Sequence, residues 1–169
     1  MDIKPCLEKW SKFLVKELAE FLSKPLPEEV RCVEILLFRE SLPSVPFMVC
    51  FSDRFRGPAK TVNSFQLLEG IGMLIDSLDY IRAEDAVCDC LELEDQAEQD
   101  SCMDELFDRV NRDNIIVAKW FADCWLKAGG GEYPHHAFLL EEDGAFKPID
   151  LHSGRHIKHF QDFKKIFDD

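Results

Sequence analysis

Val33-Glu-Ile-Leu-Leu-Phe-Arg-Glu-Ser-Leu-Pro-Ser-Val-Pro-Phe-Met-Val-Cys-Phe51 contains two short apolar runs, Val33–Phe38 and Val45–Phe51, separated by Glu40-Ser-Leu-Pro-Ser44. Runs of this length rich in β-branched and aromatic residues favour strands, and a polar, proline-containing break between them favours a β-hairpin. Both runs are apolar on both faces. That pattern expects central strands covered by helices on at least one side.

Toward the N-terminus, Ile3, Leu7, Trp10, Leu14, Leu18 and Phe21 recur at three- and four-residue steps with Lys and Glu between them. This is an amphipathic helix ending before Pro25 and Pro27. Beyond the hairpin, Asp53–Lys60 reads as a polar loop, and Asn63 or Ser64 can cap a second helix whose buried stripe is Phe65, Leu68, Ile71, Ile75 and Leu78. Ser101 with Asp104 forms a capping-box pattern ahead of Met103, Leu106, Phe107 and Val110. Asp113 or Asn114 can start a further helix carrying Ile116, Trp120, Phe121, Cys124 and Trp125, stopped by Gly129-Gly130-Gly131.

His136–Glu141 and Phe146–Leu151 flank Glu142-Asp143-Gly144, a second hairpin with an Asp-Gly turn. Ile157, Phe160, Phe163, Ile166 and Phe167 then read as a closing helix. The order helix, hairpin, helices, hairpin, helix predicts an α+β fold: an antiparallel sheet built from two hairpins, packed against several helices. No repeat or linker divides the chain, so residues 1–169 are expected to form a single domain.

A composition of 46% hydrophobic and 31% charged residues fits an ordinary soluble globular protein. Charges recur from Asp2 through Lys24, so no secretory leader is expected, and no stretch approaches the roughly 18 apolar residues of a membrane span. Seven cysteines, an odd count without an export signal, are expected to be reduced thiols in the cytoplasm.

The formal charge of −13 disfavours nucleic acid and anionic membrane as partners. Its placement is more informative than its size. From Ala83 to Asp108 there is no Lys or Arg, yet eleven acids occur: Glu84, Asp85, Asp89, Glu92, Glu94, Asp95, Glu98, Asp100, Asp104, Glu105 and Asp108. Without these, 22 of the 33 acids remain against 20 basic residues, a net of −2. The segment 83–108 is expected to be an acidic helix-loop-helix. Val87, Leu91, Leu93, Met103, Leu106 and Phe107 punctuate it, which predicts that it is anchored to the domain. Crowding eleven like charges brings no evident structural return, and an ordered acidic surface suits a basic protein partner.

Other chemistry is weaker. His135, His136, His152, His156 and His159 flank the second hairpin; a metal-dependent hydrolase could use them, but Gly154 interrupts the helical spacing that would align them. Cys88-Asp-Cys90 with Cys102 lacks zinc-ligand spacing, and acids nearby raise thiol pKa values, so ordinary reduced cysteines are expected. Cys124 lies on an apolar stripe and reads as core. Gly129–Gly131 lacks the Lys-Ser or Lys-Thr of a phosphate loop. Asp150, Glu141 and Glu142 are isolated carboxylates. No catalytic residue, metal ligand or cofactor site is assigned, and a non-enzymatic binding protein is the expectation.

Two stretches resemble a known family. Leu18-Ala-Glu-Phe-Leu-Ser-Lys-Pro-Leu-Pro-Glu-Glu-Val30 is similar to the amphipathic helix and Leu-Pro-Glu opening of the SMI1/KNR4-like (SUKH) group of bacterial polymorphic-toxin immunity proteins. Phe146-Lys-Pro-Ile-Asp-Leu151 and His156-Ile-Lys-His-Phe-Gln-Asp-Phe163 resemble that group's final strand and closing helix. The resemblance covers the two ends; the middle does not follow the group's Gly- and Trp-containing core. It implies a non-enzymatic inhibitor that binds one toxin domain and occludes its active site. Many such toxins are nucleases with basic clefts.

Overall fold

Strand β1 (Cys32–Leu37) buries one face through Val33, Ile35 and Leu37, while on the other face Cys32 is buried and Glu34 and Leu36 are half-buried. The computed structural model describes residues 4–37, 47–54, 57–59, 62–67, 87–141 and 147–158. In it, β1 pairs antiparallel with β2 (Phe47–Arg54), in a register that sets Val33 against Phe51, Ile35 against Val49 and Leu37 against Phe47. The break at 40–44 lies outside the described residues.

On its other edge β1 pairs parallel with β5 (His136–Glu141), Cys32 opposite His136 and Leu37 opposite Glu141. The sheet is therefore mixed, not antiparallel as the hairpin order predicts. The outer edge of β2 carries β3 (Gly57–Pro58) at one end and β4 (Phe65–Gln66) at the other. Beyond β5 come β6 (Ile149–Asp150) and β7 (Arg155–His156), each antiparallel to its neighbour. Phe65 is thus a strand residue rather than the start of a helix, and Gly57-Pro58 belongs to the sheet rather than to a loop. The remainder of the predicted second helix (68–78), the Asp143-Gly144 turn and most of the closing helix (159–167) lie outside the described residues.

Among the described residues, two long helices cover one face. α1 (Lys4–Leu22) buries Leu7, Trp10, Leu14, Leu18 and Phe21, the stripe that its three- and four-residue spacing predicts. α2 (Gln96–Lys127) is a single helix of 32 residues, about 48 Å long at 1.5 Å per residue. The starts expected at Ser101 and at Asp113 or Asn114 are both inside it. Its C-terminal half buries Val117, Ala118, Phe121, Ala122, Cys124 and Trp125 in one cluster with the α1 stripe and with Val33, Ile35, Leu37, Phe47, Val49 and Phe51. Phe47 and Phe121 meet with ring centroids 4.4 Å apart. Trp120 Nε1 donates to Ser11 Oγ at 2.8 Å and ties the two helices together.

The parallel β1–β5 pairing follows from where α2 ends. Its last turn is capped by Ala128, whose N–H reaches Cys124 O, and Gly129 then takes a left-handed φ of 94°. This reversal delivers the chain to the end of the sheet where β1 begins, and His135 Nδ1 lies 3.1 Å from Val30 O. β5 therefore enters alongside β1 in the same direction. A parallel partner requires a long crossover, which α2 supplies. The opposite face holds a smaller cluster of Cys32 and Phe138 with half-buried Leu140 and Ile157.

Candidate functional site

The acidic segment forms two elements facing each other. Residues 87–91 are helical, a turn and loop follow, and Asp95 caps α2 by accepting from Ala97 N at 2.7 Å. Gln99 Nε2 donates to Leu93 O at 2.6 Å and Leu91 O at 3.2 Å, so its side chain closes the loop. Asp89, Glu92, Glu94, Asp95, Glu98, Asp100, Asp104, Glu105 and Asp108 are all exposed, and among the described residues none of them makes a salt bridge. Glu84 and Asp85 lie outside the described residues. Nine of the eleven acids of the segment are thus exposed on these two elements and the loop between them.

Their roles differ. Asp95 and Glu98 sit at the N-terminus of α2, where a capping side chain and a negative charge both stabilise the exposed N–H groups. For these two the expectation of charge without structural return is corrected. Asp100, Asp104 and Asp108 follow at four-residue steps, so they repel one another along one stripe, a cost of a few tenths of a kcal/mol per pair, roughly. Asp89, Glu92 and Glu94 bring three more charges from the opposite element, again with no Lys or Arg between them.

What holds the elements together is a disulfide. Cys90 is bonded to Cys102 with Cα atoms 5.6 Å apart, a spacing suited to that bond. This corrects the expectation of ordinary reduced thiols for both residues. The apolar residues expected to anchor the segment divide: Leu106 is buried, but Leu91, Leu93 and Phe107 are exposed, at 59%, 37% and 46%. Three of the segment's six apolar residues are thus presented to solvent, while Val87 and Met103 are half-buried beside buried Leu106. Cys88 is free and exposed.

Between the two elements opens a cleft of about 810 Å³ whose walls include Asp89, Glu105, Asp108, Arg109, Arg112 and the disulfide. The two arginines lie beyond the base-free stretch of the sequence, and the continuous α2 places them on one stripe with Cys102 and Glu105. A second cleft of about 640 Å³ lies at the end of α1, floored by Phe21 and Phe51 with Glu17, Glu20 and Lys24 nearby.

The remaining candidates sit elsewhere. His152 Nε2 is 2.8 Å from Tyr133 O, and His156 Nδ1 is 2.9 Å from Lys147 O. With His135 on Val30 O, three histidines use a ring nitrogen to tie chain segments to one another. Asp150 accepts from His152 N and Ser153 Oγ and shapes the turn after β6. Among the described residues no group of three or more His, Cys, Asp or Glu could hold a metal ion. Cys124 is buried as expected from its stripe, and burial pushes its thiol pKa up. Cys32 is raised further by burial, with the Glu34 carboxylate adding to the effect. Glu141 is buried and accepts from Asn114 Nδ2 of α2 at 3.4 Å, a packing role. No helix among the described residues is long and apolar enough to cross a membrane.

No protein-family model, curated protein or solved structure matches the chain.

Proposed function

We propose that this protein is a non-enzymatic binding protein that acts in the cytoplasm, an immunity protein that neutralises a cognate bacterial toxin through its acidic surface. The observation that carries the reading is the gathering of nine exposed carboxylates on two elements with no Lys or Arg between residues 83 and 108. A fixed array of like charge accelerates encounter with a basic surface and selects its orientation. Exposed Leu91 and Leu93 among the acids add apolar contact area, which charge alone does not provide. A nuclease toxin fits best, because its substrate cleft is basic and a carboxylate array can stand in for phosphates. The resemblance of residues 18–30 and of the chain's end to SUKH immunity proteins points the same way. His135, His152 and His156 are engaged with backbone carbonyls, and no specific observation favours the hydrolase reading.

The test is a calorimetric titration against the toxin domain encoded beside this protein's gene, at low and high salt. Glu92, Glu94, Asp104 and Glu105 are the residues to reverse to Lys, because Asp95 and Glu98 also stabilise α2. The quadruple variant should bind about tenfold or more weakly at low salt and lose most of its salt dependence. Unchanged affinity would exclude the acidic surface as the contact.

A further inference from the structure

We infer that the Cys90–Cys102 bond is a thiol–disulfide exchange site that opens the acidic surface and is selective for thiols carrying positive charge. The inference stands on the clip itself and does not depend on the identity of the partner.

Three observations converge. The clip is accessible: it lines the cleft between 87–91 and α2, where Cys102 is only half-buried while Cys90 is buried. Cys32 and Cys124, by contrast, are interior thiols whose pKa values are raised by burial, which suppresses the reactive thiolate. The clip is also under electrostatic load, because it joins Asp89, Glu92 and Glu94 to the acids of α2. Apart from the disulfide, Gln99's two hydrogen bonds are the polar ties from α2 to the 91–93 backbone. Finally, the field at the sulfurs is negative. Glu98 and Glu105 lie within one turn of Cys102 on its own helix, and Asp89 and Asp108 share the cleft. Arg109 and Arg112 also line the cleft and offset part of this charge, but Asp89, Glu105 and Asp108 beside them, together with Glu98, leave the surroundings of the sulfurs net negative.

The chemistry balances with a dithiol as reductant. Its thiolate attacks Cys102 Sγ, the more exposed sulfur, forming a mixed disulfide and expelling the Cys90 thiolate, which takes up a proton. The dithiol's second sulfur then attacks the first, releasing the Cys102 thiolate to be protonated. The dithiol is oxidised to a disulfide by two electrons and the clip is reduced by the same two. Once it is open, charge repulsion drives 87–94 away from α2. In a reducing compartment a disulfide of this kind is redox-responsive rather than permanent.

The experiment uses the intact wild-type protein. Native samples are treated with cysteamine, a cationic thiol, or 3-mercaptopropionate, an anionic one, then alkylated, and opening of the Cys90–Cys102 pair is followed by peptide mass spectrometry. Rates are normalised to those on neutral 2-hydroxyethyl disulfide, which removes the intrinsic difference between the thiols. Cysteamine should win by roughly tenfold at low salt, a steering effect that collapses toward unity at high salt. Amide exchange at 87–94 should accelerate after opening with dithiothreitol, while Cys32 and Cys124 stay unlabelled. Equal normalised rates at low salt would overturn the charge selectivity. Opening only at the rate of global unfolding, or unchanged exchange at 87–94 after reduction, would overturn the exchange site.

Discussion

Gly129, Gly130 and Gly131 stand together where α2 stops, and the structure gives each a different dependence on the missing side chain. Gly129 has φ 94° with no atom within 4 Å of an added Cβ, so Gly129→Ala meets backbone strain alone, about 1–2 kcal/mol. Gly130 has an ordinary φ, but a Cβ there would overlap the Trp125 indole at Nε1 and Cδ1. Trp125 is wholly buried and packed against Phe21 and Tyr133, so its ring cannot swing aside. Overpacking of this kind costs about 1–3 kcal/mol, and Gly130→Ala belongs at the upper end because the obstructing group is a rigid ring. At Gly131 the nearest atom is Leu126 Cδ2 at 3.5 Å, ordinary contact, and φ is not positive. Gly131→Ala should be neutral or stabilising by a few tenths of a kcal/mol, because Ala restricts the unfolded chain. Urea denaturation, read as a change in midpoint at constant slope, orders the three variants. If Gly131→Ala destabilises as much as Gly130→Ala, the Trp125 contact is not what requires glycine.

Two further outcomes test the site and the core. Asp95→Ala should cost about 1 kcal/mol by removing the cap on Ala97 N, while Asp95→Asn keeps the cap and should recover most of that loss in the same urea assay. Burial raises the Tyr133 pKa from 10.0 to about 12, so its contribution to stability is fully present below pH 10 and is lost as pH rises through 12. Tyr133→Phe should flatten that alkaline loss of urea midpoint; because the Tyr133 hydroxyl is buried without a hydrogen-bond partner among the described residues, the variant should cost little at neutral pH.

The sequence by itself determined the local elements. The α1 stripe, the β1 and β2 runs and the stop at Gly129–Gly131 are each written in spacing or in residues with restricted conformations, and each is found where that chemistry places it. So was the charge pattern: eleven acids without a base require no coordinates to be seen. Tertiary structure alone decided what lies far apart in the chain. Strand direction depends on where α2 releases the chain, so the parallel β1–β5 pairing could not be read from two hairpin signals. Ser101 and Asn114 carry cap chemistry but lie inside α2, because packing of Phe121 and Trp125 against the sheet and the cap at Asp95 outweigh weak local preferences. Cys90 and Cys102 meet only because the loop at 92–95 folds the short helix back onto α2. Their bond, rather than exposed Leu91 and Leu93, ties the short helix to α2, since a covalent tie resists like-charge repulsion that exposed side chains cannot.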